Sequence, residues 1–535
     1  MFARDDSLIG TRTRSWQRWL WGGVLLIGST SLLLSGRGAG LLWNTAVLAM
    51  AVAALSLPLG LAAGFVLART DIRGKKFAAS LLAALLFMPL YLTVAGWEAG
   101  LGRQGWLVAL LAPYQNSAPL VGWRGAIWAH TMHVLPWVIG ILHLGATRIP
   151  PSHEELAFLE GSPAQVFRHV TLRHLAPFLA AAAAWIAVTV AVEITVTDVY
   201  QIRTFAEELY LGYVQGESAL EVQLRLLPSL LVMVTLLLLS LTTIEQLVPA
   251  ARFHAPRDPV LWQLGRYRSP ASILVGGLLL GCLMIPVANL LYHAGIQVDE
   301  VAGERFRSWS LPKCLSILGQ SPWRFRREFA WSFLLAQLSS MTSIAVAVPW
   351  ALWSRRGGWP AGFSFLLVAI LFALPGPVMA LGIIRLLNQP DSSWCIWLYD
   401  QTVVAPCLAM VLRSLPLIFV LLWLAVRTIP TQLFEAARLD GATRWQLLVY
   451  VVRPEMTNSL VCAWLLGMAI SLGELSASIL VMPPGVTTIS LRIFGLVHYG
   501  VEDQLAGLCL TSVALLVGLA AALQFTVRQL TIWSR

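Results

Sequence analysis

Runs of roughly 20 apolar residues recur along the whole chain, at about 16–34, 41–68, 77–97, 124–147, 175–197 and 226–247, then 270–294, 329–353, 364–387, 402–425, 457–480 and 506–527. Each is long enough to cross a hydrocarbon layer of about 30 Å as a helix. None shows the period-two alternation of a barrel strand, and lipid tolerates no unpaired backbone. The pattern therefore predicts an all-α polytopic membrane protein of about twelve transmembrane helices in two sets of six.

Composition agrees. The 535 residues are 57% hydrophobic and 12% charged, with a mean hydropathy of +0.72, whereas about a quarter of the residues of a soluble protein are charged. No room remains for a large soluble catalytic domain. The net charge of +10 sits between the runs rather than in a stripe with interleaved aromatics, so no nucleic-acid partner is expected. Arg12, Arg14 and Arg18, then Arg69, Arg73, Lys75 and Lys76, then Arg252, Arg257, Arg266 and Arg268, and finally Arg355 and Arg356 fall in alternate connections. The positive-inside rule then makes both termini cytoplasmic. One connection objects: 295–328 carries Arg305, Arg307, Lys313, Arg324, Arg326 and Arg327, yet parity puts it outside. The basic segment from Arg4 to Arg18 ahead of Trp19 to Leu34 imitates a signal peptide, but no small-residue cleavage site follows Ser35, so it is read as a retained first span. The six cysteines lack metal-ligand spacing and most lie in apolar runs, so neither a metal site nor a cofactor is expected.

The halves repeat each other at offsets of about 280 to 288 residues, pairing Trp43 with Trp331, Gly96 with Gly382, Leu135-Pro136 with Leu415-Pro416, Gly161 with Gly441 and Glu193 with Glu474. Even numbers of spans make the repeat parallel. The expected organisation is a first module over 1–248 (core 41–247), a cytoplasmic linker over 249–269 and a second module over 270–535 (core 329–527).

The polar island Phe434 to Pro454 organises the second half. A helix from near Thr431 meets Gly441, suited to a left-handed C-terminal cap, and Thr443 with Gln446 forms a capping-box pattern that starts the next helix. The first half has Ser152 to Gln165, with Glu155, Ala157 and Gly161 at the positions of Glu435, Ala437 and Gly441. There Ser152/Glu155 and Ser162/Gln165 read as two capping boxes. Glu435-Ala436-Ala437, three residues and Gly441 resemble the EAA loop of permease subunits of ABC-type importers. Leu156 replaces the first Ala in the degenerate first copy, and one residue is missing after Gly161. The resemblance implies the type I importer permease fold, alternating access, and two loops (Glu155, Ala157, Gly161; Glu435, Ala436, Ala437, Gly441) that couple to a cytoplasmic ABC ATPase dimer. It also implies delivery of cargo by a periplasmic or extracellular solute-binding protein. Fused permeases of this shape make iron(III) the first expected cargo, then thiamine or another small solute.

The chain lacks a P-loop of its own. The single Gly-Lys, Gly74-Lys75, is followed by Lys76 and has Arg69 where the first Gly should stand. It is therefore expected to be a permease and not an enzyme, with an ion-gradient-driven transporter as the alternative.

Charge within a span is costly, about 2.5 to 3.5 kcal/mol at a helix centre, so it needs a reason. Glu193 and Glu474 occupy equivalent positions. The Gly473-Glu474-Leu475-Ser476-Ala477 segment resembles the same span of importer permeases with different cargo, which leaves a gate or packing role and a substrate role both open. Arg413, with Glu474 as a candidate partner, and His133 each stand three residues before a Pro. Asp198, Glu207 and Glu208 are expected in a solvated external loop, with a share in receiving a cationic cargo as the other reading. Pro483 to Thr488 reads as a turn ahead of a short amphipathic helix from Ile489 to Tyr499.

Overall fold

The computed structural model describes residues 36–103, 105–111, 118–215, 230–231, 233–235, 237–238, 262–301, 304–499 and 502–533. The expected span at 16–34, most of that at 226–247 and the linker before Trp262 lie outside the described residues. The first half contains α1 (Gly36–Arg69), α2 (Lys75–Leu86), α3 (Leu90–Leu101), α4 (Trp106–Leu111), α5 (Trp123–Thr147) and α6 (Pro151–Glu160). It continues with α7 (Pro163–Val192), α8 (Thr195–Val199) and α9 (Phe205–Val214). After Trp262 come α10 (Arg268–Gly295), a hairpin of β1 (Ile296–Val301) and β2 (Glu304–Trp309), α11 (Leu311–Arg324), α12 (Arg326–Ser354), α13 (Trp359–Ala373), α14 (Gly376–Leu387) and α15 (Ser393–Asp400). The chain ends with α16 (Val404–Thr428), α17 (Thr431–Leu439), α18 (Arg444–Leu472), α19 (Ile489–Tyr499) and α20 (Glu502–Trp533).

Eight described helices are long and apolar enough to cross a membrane, and two bent pairs pass the same test when joined. These ten correspond to ten of the twelve apolar runs. Two runs expected as straight helices are broken: α2 turns into α3 by 100°, with Pro89 at the break, and α13 turns into α14 by 104° at Pro375. Two more end early. The run at 175–197 leaves its helix at Val192 and the run at 457–480 at Leu472, so Glu193 and Glu474 lie just past helix ends and not inside continuous spans. The objecting connection 295–328 folds as the hairpin plus α11. Ser310 caps this helix by accepting from the Lys313 amide (3.4 Å), and Leu311, Leu315 and Trp323 stay exposed.

Close approach, more than apolar driving force, holds the bundle, because lipid tails are as apolar as leucine. On α12, Ser332, Ala336, Ser340, Ser343, Ala347 and Ala351 make a buried stripe at mostly four-residue spacing against α16 and α18. Hydroxyl pairs Ser339–Ser471 (2.7 Å) and Ser343–Ser414 (2.9 Å) tie the same faces. On α1, Gly64 lets the helix approach the backbone of α5.

The halves are interlocked. α10, from the second half, lies on α2 and α3 of the first. Asn289 Nδ2 donates to the Gly96 carbonyl (3.0 Å), Trp106 Nε1 donates to Asn289 Oδ1 (3.1 Å), and His293 Nε2 meets the Ala99 carbonyl (2.6 Å). Leu279, Leu283 and Leu290 of α10, Leu85 and Leu92 of the broken span, and Leu508 and Val513 of α20 share one core.

A β-carbon at Gly64 would lie 2.9 Å from the Ile139 carbonyl oxygen and 3.0 Å from the His143 nitrogen, both backbone atoms that cannot swing away. Gly64→Ala is expected to cost about 1–3 kcal/mol, whereas Gly276→Ala on α10, where nothing lies within 4 Å, should cost nothing. Thermal unfolding in detergent checks this, and equal midpoints for the two variants would refute the close-approach account.

Candidate functional site

The two polar loops form, and they differ. In the second, α17 ends in a Schellman motif: Gly441 is left-handed at φ 73°, its amide donates to the Arg438 carbonyl (3.1 Å), and the Ala442 amide donates to the Ala437 carbonyl (2.9 Å). Thr443 and Gln446 then close the expected capping box, through Thr443 N–H to Gln446 Oε1 (2.8 Å) and Gln446 N–H to Thr443 Oγ1 (3.3 Å). In the first loop the Ser162/Gln165 box also forms, with Ser162 N–H donating to Gln165 Oε1 (2.8 Å). Two expectations there fail. Gly161 is extended at φ −138°, and α6 starts at Pro151 behind Pro150, so Ser152 lies inside the first turn and does not cap. Gly161 closes α6 differently, its amide donating to the Ala157 carbonyl (2.9 Å).

Glu155, Glu435 and Ala436 are exposed, and Ala157 and Ala437 are half-buried. Around them stand uncovered apolar side chains: Leu159 and Leu439 are 82% and 88% exposed, and Leu156 and Trp445 are also open. Both following helices pass through a short π-helical turn, at Phe167–Thr171 and Leu448–Val452, a match the residue pattern did not reveal.

An arginine from the preceding long helix grips each loop. Arg69, at the end of α1, is fully buried and ion-paired to Glu154 of α6, whose Oε1 accepts from Thr171 Oγ1 (2.9 Å). Arg355, just past α12, donates to the Ile429 carbonyl (2.6 Å) and lies over the Phe434 ring of α17 (4.2 Å). Both arginines had been read only as orientation signals, and Glu154 was passed over for its neighbour Glu155. A signal was available: Glu154 and Phe158 are four apart on one helical face, and Glu155 and Leu159 share another, so the buried face could have been separated from the exposed one. Phe158 joins Phe65 and Phe167 around Trp262, with the first two rings each 5.1 Å from the indole. The Trp262 amide donates to the Arg69 carbonyl (2.7 Å). Beside it the Leu264 amide donates to Asp71 (3.0 Å) and, with Arg268 adding to the effect, holds that carboxyl below its usual range.

The pathway candidates meet. Glu193, Glu474, Ser476, Arg413 and His133 all line one cavity of about 180 Å³, walled also by Pro89 and Tyr91 of the first broken span and by Phe372 of the second. Arg413 Nε lies 3.2 Å from Glu474 Oε2, as the shared register suggested. The other carboxylate oxygen accepts from the Ala477 amide (2.7 Å) and the Ser476 hydroxyl (3.1 Å). Glu193 does the same on a smaller scale, accepting from the Thr195 amide (2.9 Å). Both glutamates thus cap the chain where a span has stopped being a helix. The halves touch here as well, through Tyr91 Oη donating to the Leu472 carbonyl (3.3 Å).

Two further expectations change. Glu207 is not solvated: it is 9% exposed, and burial pushes its carboxyl up to about 7 despite the Thr204 amide and Arg203. Cys314 and Cys395 are unbridged, and Cys314 is buried with its thiol directed to the Leu291 carbonyl.

The difference between the two glycines is testable. Gly441→Ala places a β-carbon at positive φ and should cost about 1–2 kcal/mol. Gly161→Ala, with extended backbone and no neighbour closer than 3.4 Å, should be neutral. Hydrogen exchange of the Ala442 amide is expected to speed up about tenfold in the first variant, with the first loop unchanged in the second. Equal responses would mean that the two turns are conformationally alike.

Residues 343–528 match the family described as binding-protein-dependent transport system inner membrane component. That stretch contains Arg413, Glu435, Ala436, Ala437, Gly441, Glu474 and Ser476. Among similar proteins, the probable sulfate transport system permease protein of Marchantia polymorpha is 28% identical over 31% of this chain, and the spermidine/putrescine transport system permease protein PotC of Haemophilus influenzae is 26% identical over 37%. A putative 2-aminoethylphosphonate transport system permease protein of Salmonella paratyphi A is 33% identical over 17%. The chain spans 60%, 73% and 34% of the lengths of those three relatives. With its apolar helices and this match, the chain is a multi-pass membrane protein with the all-α fold of type I permeases, similar over its second half to the inner membrane components of binding-protein-dependent transport systems.

Proposed function

We propose that the chain is the permease of an ABC-type importer, two permease modules (cores 41–247 and 329–527) fused in one polypeptide and held in the inner membrane with both termini cytoplasmic. The observation that carries this reading is the pair of exposed helix-turn-helix loops, each fixed by an arginine to a long helix of its own half. Glu155, Ala157 and Gly161 with exposed Leu156 and Leu159, and Glu435, Ala436, Ala437 and Gly441 with exposed Leu439 and Trp445, are the surfaces that seat in a cytoplasmic ATPase dimer. Closure of that dimer rocks the halves about the cavity lined by Glu193, Glu474, Ser476, Arg413 and His133. A solute-binding protein delivers cargo to the opposite face.

Relatives with the names of sulfate, spermidine/putrescine and 2-aminoethylphosphonate transport permeases select no single cargo. Iron(III) stays the first candidate from the fused-permease resemblance, with thiamine the second. The ion-gradient alternative draws no support from the cavity, because both Glu474 oxygens are already engaged by Arg413, Ala477 and Ser476.

The test is ATP hydrolysis by the complex in lipid with its partner ATPase and binding proteins loaded with iron(III) or thiamine. The cognate loaded protein should stimulate hydrolysis. Glu435→Ala and Trp445→Glu, both at exposed positions, should lower that stimulation about tenfold, the effect of losing roughly 1.4 kcal/mol of docking. Transport that continues without ATP and follows a proton or sodium gradient would overturn the proposal.

A further inference from the structure

A second cavity, of about 500 Å³, lies apart from the one between Glu193 and Glu474 and has walls from both halves. Glu98, Asp198 and Glu207 bring three carboxyl groups to it from α3, α8 and α9, and Tyr200 lies beside Glu98. Apolar wall comes from Val94, Leu120, Leu290 and Leu505. Glu207 is about nine-tenths buried, and its Oε2 has no hydrogen-bond partner. A buried polar atom left unpaired costs about 1–3 kcal/mol, so its retention calls for a donor from elsewhere.

The chemistry narrows that donor. Among the described residues no three His, Cys, Asp or Glu side chains converge as metal ligands, so the carboxyl groups are spread around the cavity and not focused on one point. Three acidic groups against the single guanidinium of Arg103 disfavour an anion. The volume lies within the range of small-molecule sites and far exceeds a bare ion, and its mixed lining suits an apolar body with a charged head.

We infer that this cavity binds a small organic ammonium ion, whose N–H groups supply the donor missing at Glu207 while its alkyl part lies against Val94, Leu290 and Leu505. The inference takes from the transport reading only the assignment of this face as external. Since α10 and α20 close one side and α3 and α8 the other, an occupant bridges the two halves.

The experiment is calorimetric titration of the full chain in lipid nanodiscs, without ATPase or nucleotide, using n-butylammonium as the probe and 1-butanol as its neutral counterpart of equal heavy-atom count. Saturable one-to-one binding of n-butylammonium is expected, at least tenfold tighter than 1-butanol. Glu207→Gln keeps the shape and should weaken it about tenfold or more, and Leu505→Trp, which fills the cavity without changing charge, should abolish it. Glu435→Ala on the distant loop should leave it unchanged. Binding that is equal in Glu207→Gln and wild type, that survives Leu505→Trp, or that 1-butanol matches would overturn the inference, as would no saturable binding. Thermal unfolding of each variant identifies misfolding, and the two cavity variants are unlikely to share one folding defect; if either unfolds, the other decides. Failure of the chain to associate with an ATPase would sink the transport reading and leave this result standing.

Discussion

Lipid offers the backbone no water, so every interruption of a spanning helix must find its hydrogen bonds inside the protein. The described interruptions gather where that is possible. The break at Pro89, the break before Pro375, the turn at Glu193 and the turn from Gly473 to Ser478 lie around the contact between the halves. Glu193 and Glu474 become intelligible on these terms. Each carboxylate accepts from an amide freed by the end of its helix, and Arg413 offsets the remaining charge of Glu474. The acidic residues hold the gate region in shape before they do anything to a solute. That weighs toward a gate or packing role and away from substrate selection, the two readings the residues alone left open.

The same logic explains what the residue pattern revealed and what it hid. Apolar runs located ten of the ten spans that the described residues contain, because run length and composition are set by the bilayer. They could not locate the breaks. Pro58, Pro136, Pro286, Pro349 and Pro416 all lie within helices that continue, whereas Pro89 and Pro375 mark breaks. What separates the classes is whether the surroundings shelter the freed backbone, a tertiary property. Nor could hydropathy tell a buried turn from a helix at 193–197 or 473–480, since both are apolar.

At the loops, local signals were strong where they were self-contained. The Gly441 cap and the Thr443/Gln446 box involve residues within a few positions of one another. The equivalence of Gly161 and Gly441 failed for a countable reason. The first loop has one residue fewer, so Ser162, which must be extended as the next N-cap, directly follows Gly161. No residue is left to make the second bond of a Schellman turn. Arg69 with Glu154, and Arg355 with Phe434, escaped notice because their partners are about 80 residues away in sequence.

Those long-range anchors decide how a push on either loop is transmitted. A loop that hinged freely would absorb the displacement of a docked partner, and the long helices would not follow. The first loop cannot hinge at Arg69: pulling Glu154 away would strand a fully buried guanidinium, and removing one member of a buried pair costs about 3–5 kcal/mol. Trp262 packs over the same junction and ties it to the start of α10, which in turn lies across α2 and α3. The second loop is held more lightly, by one hydrogen bond to a carbonyl and a guanidinium over a half-buried ring. Displacement at α6 therefore moves α1 and α10 as one body, while α17 has room to adjust on Arg355. The degenerate loop is thus the stiffer lever, and the loop with the fuller motif is the compliant one.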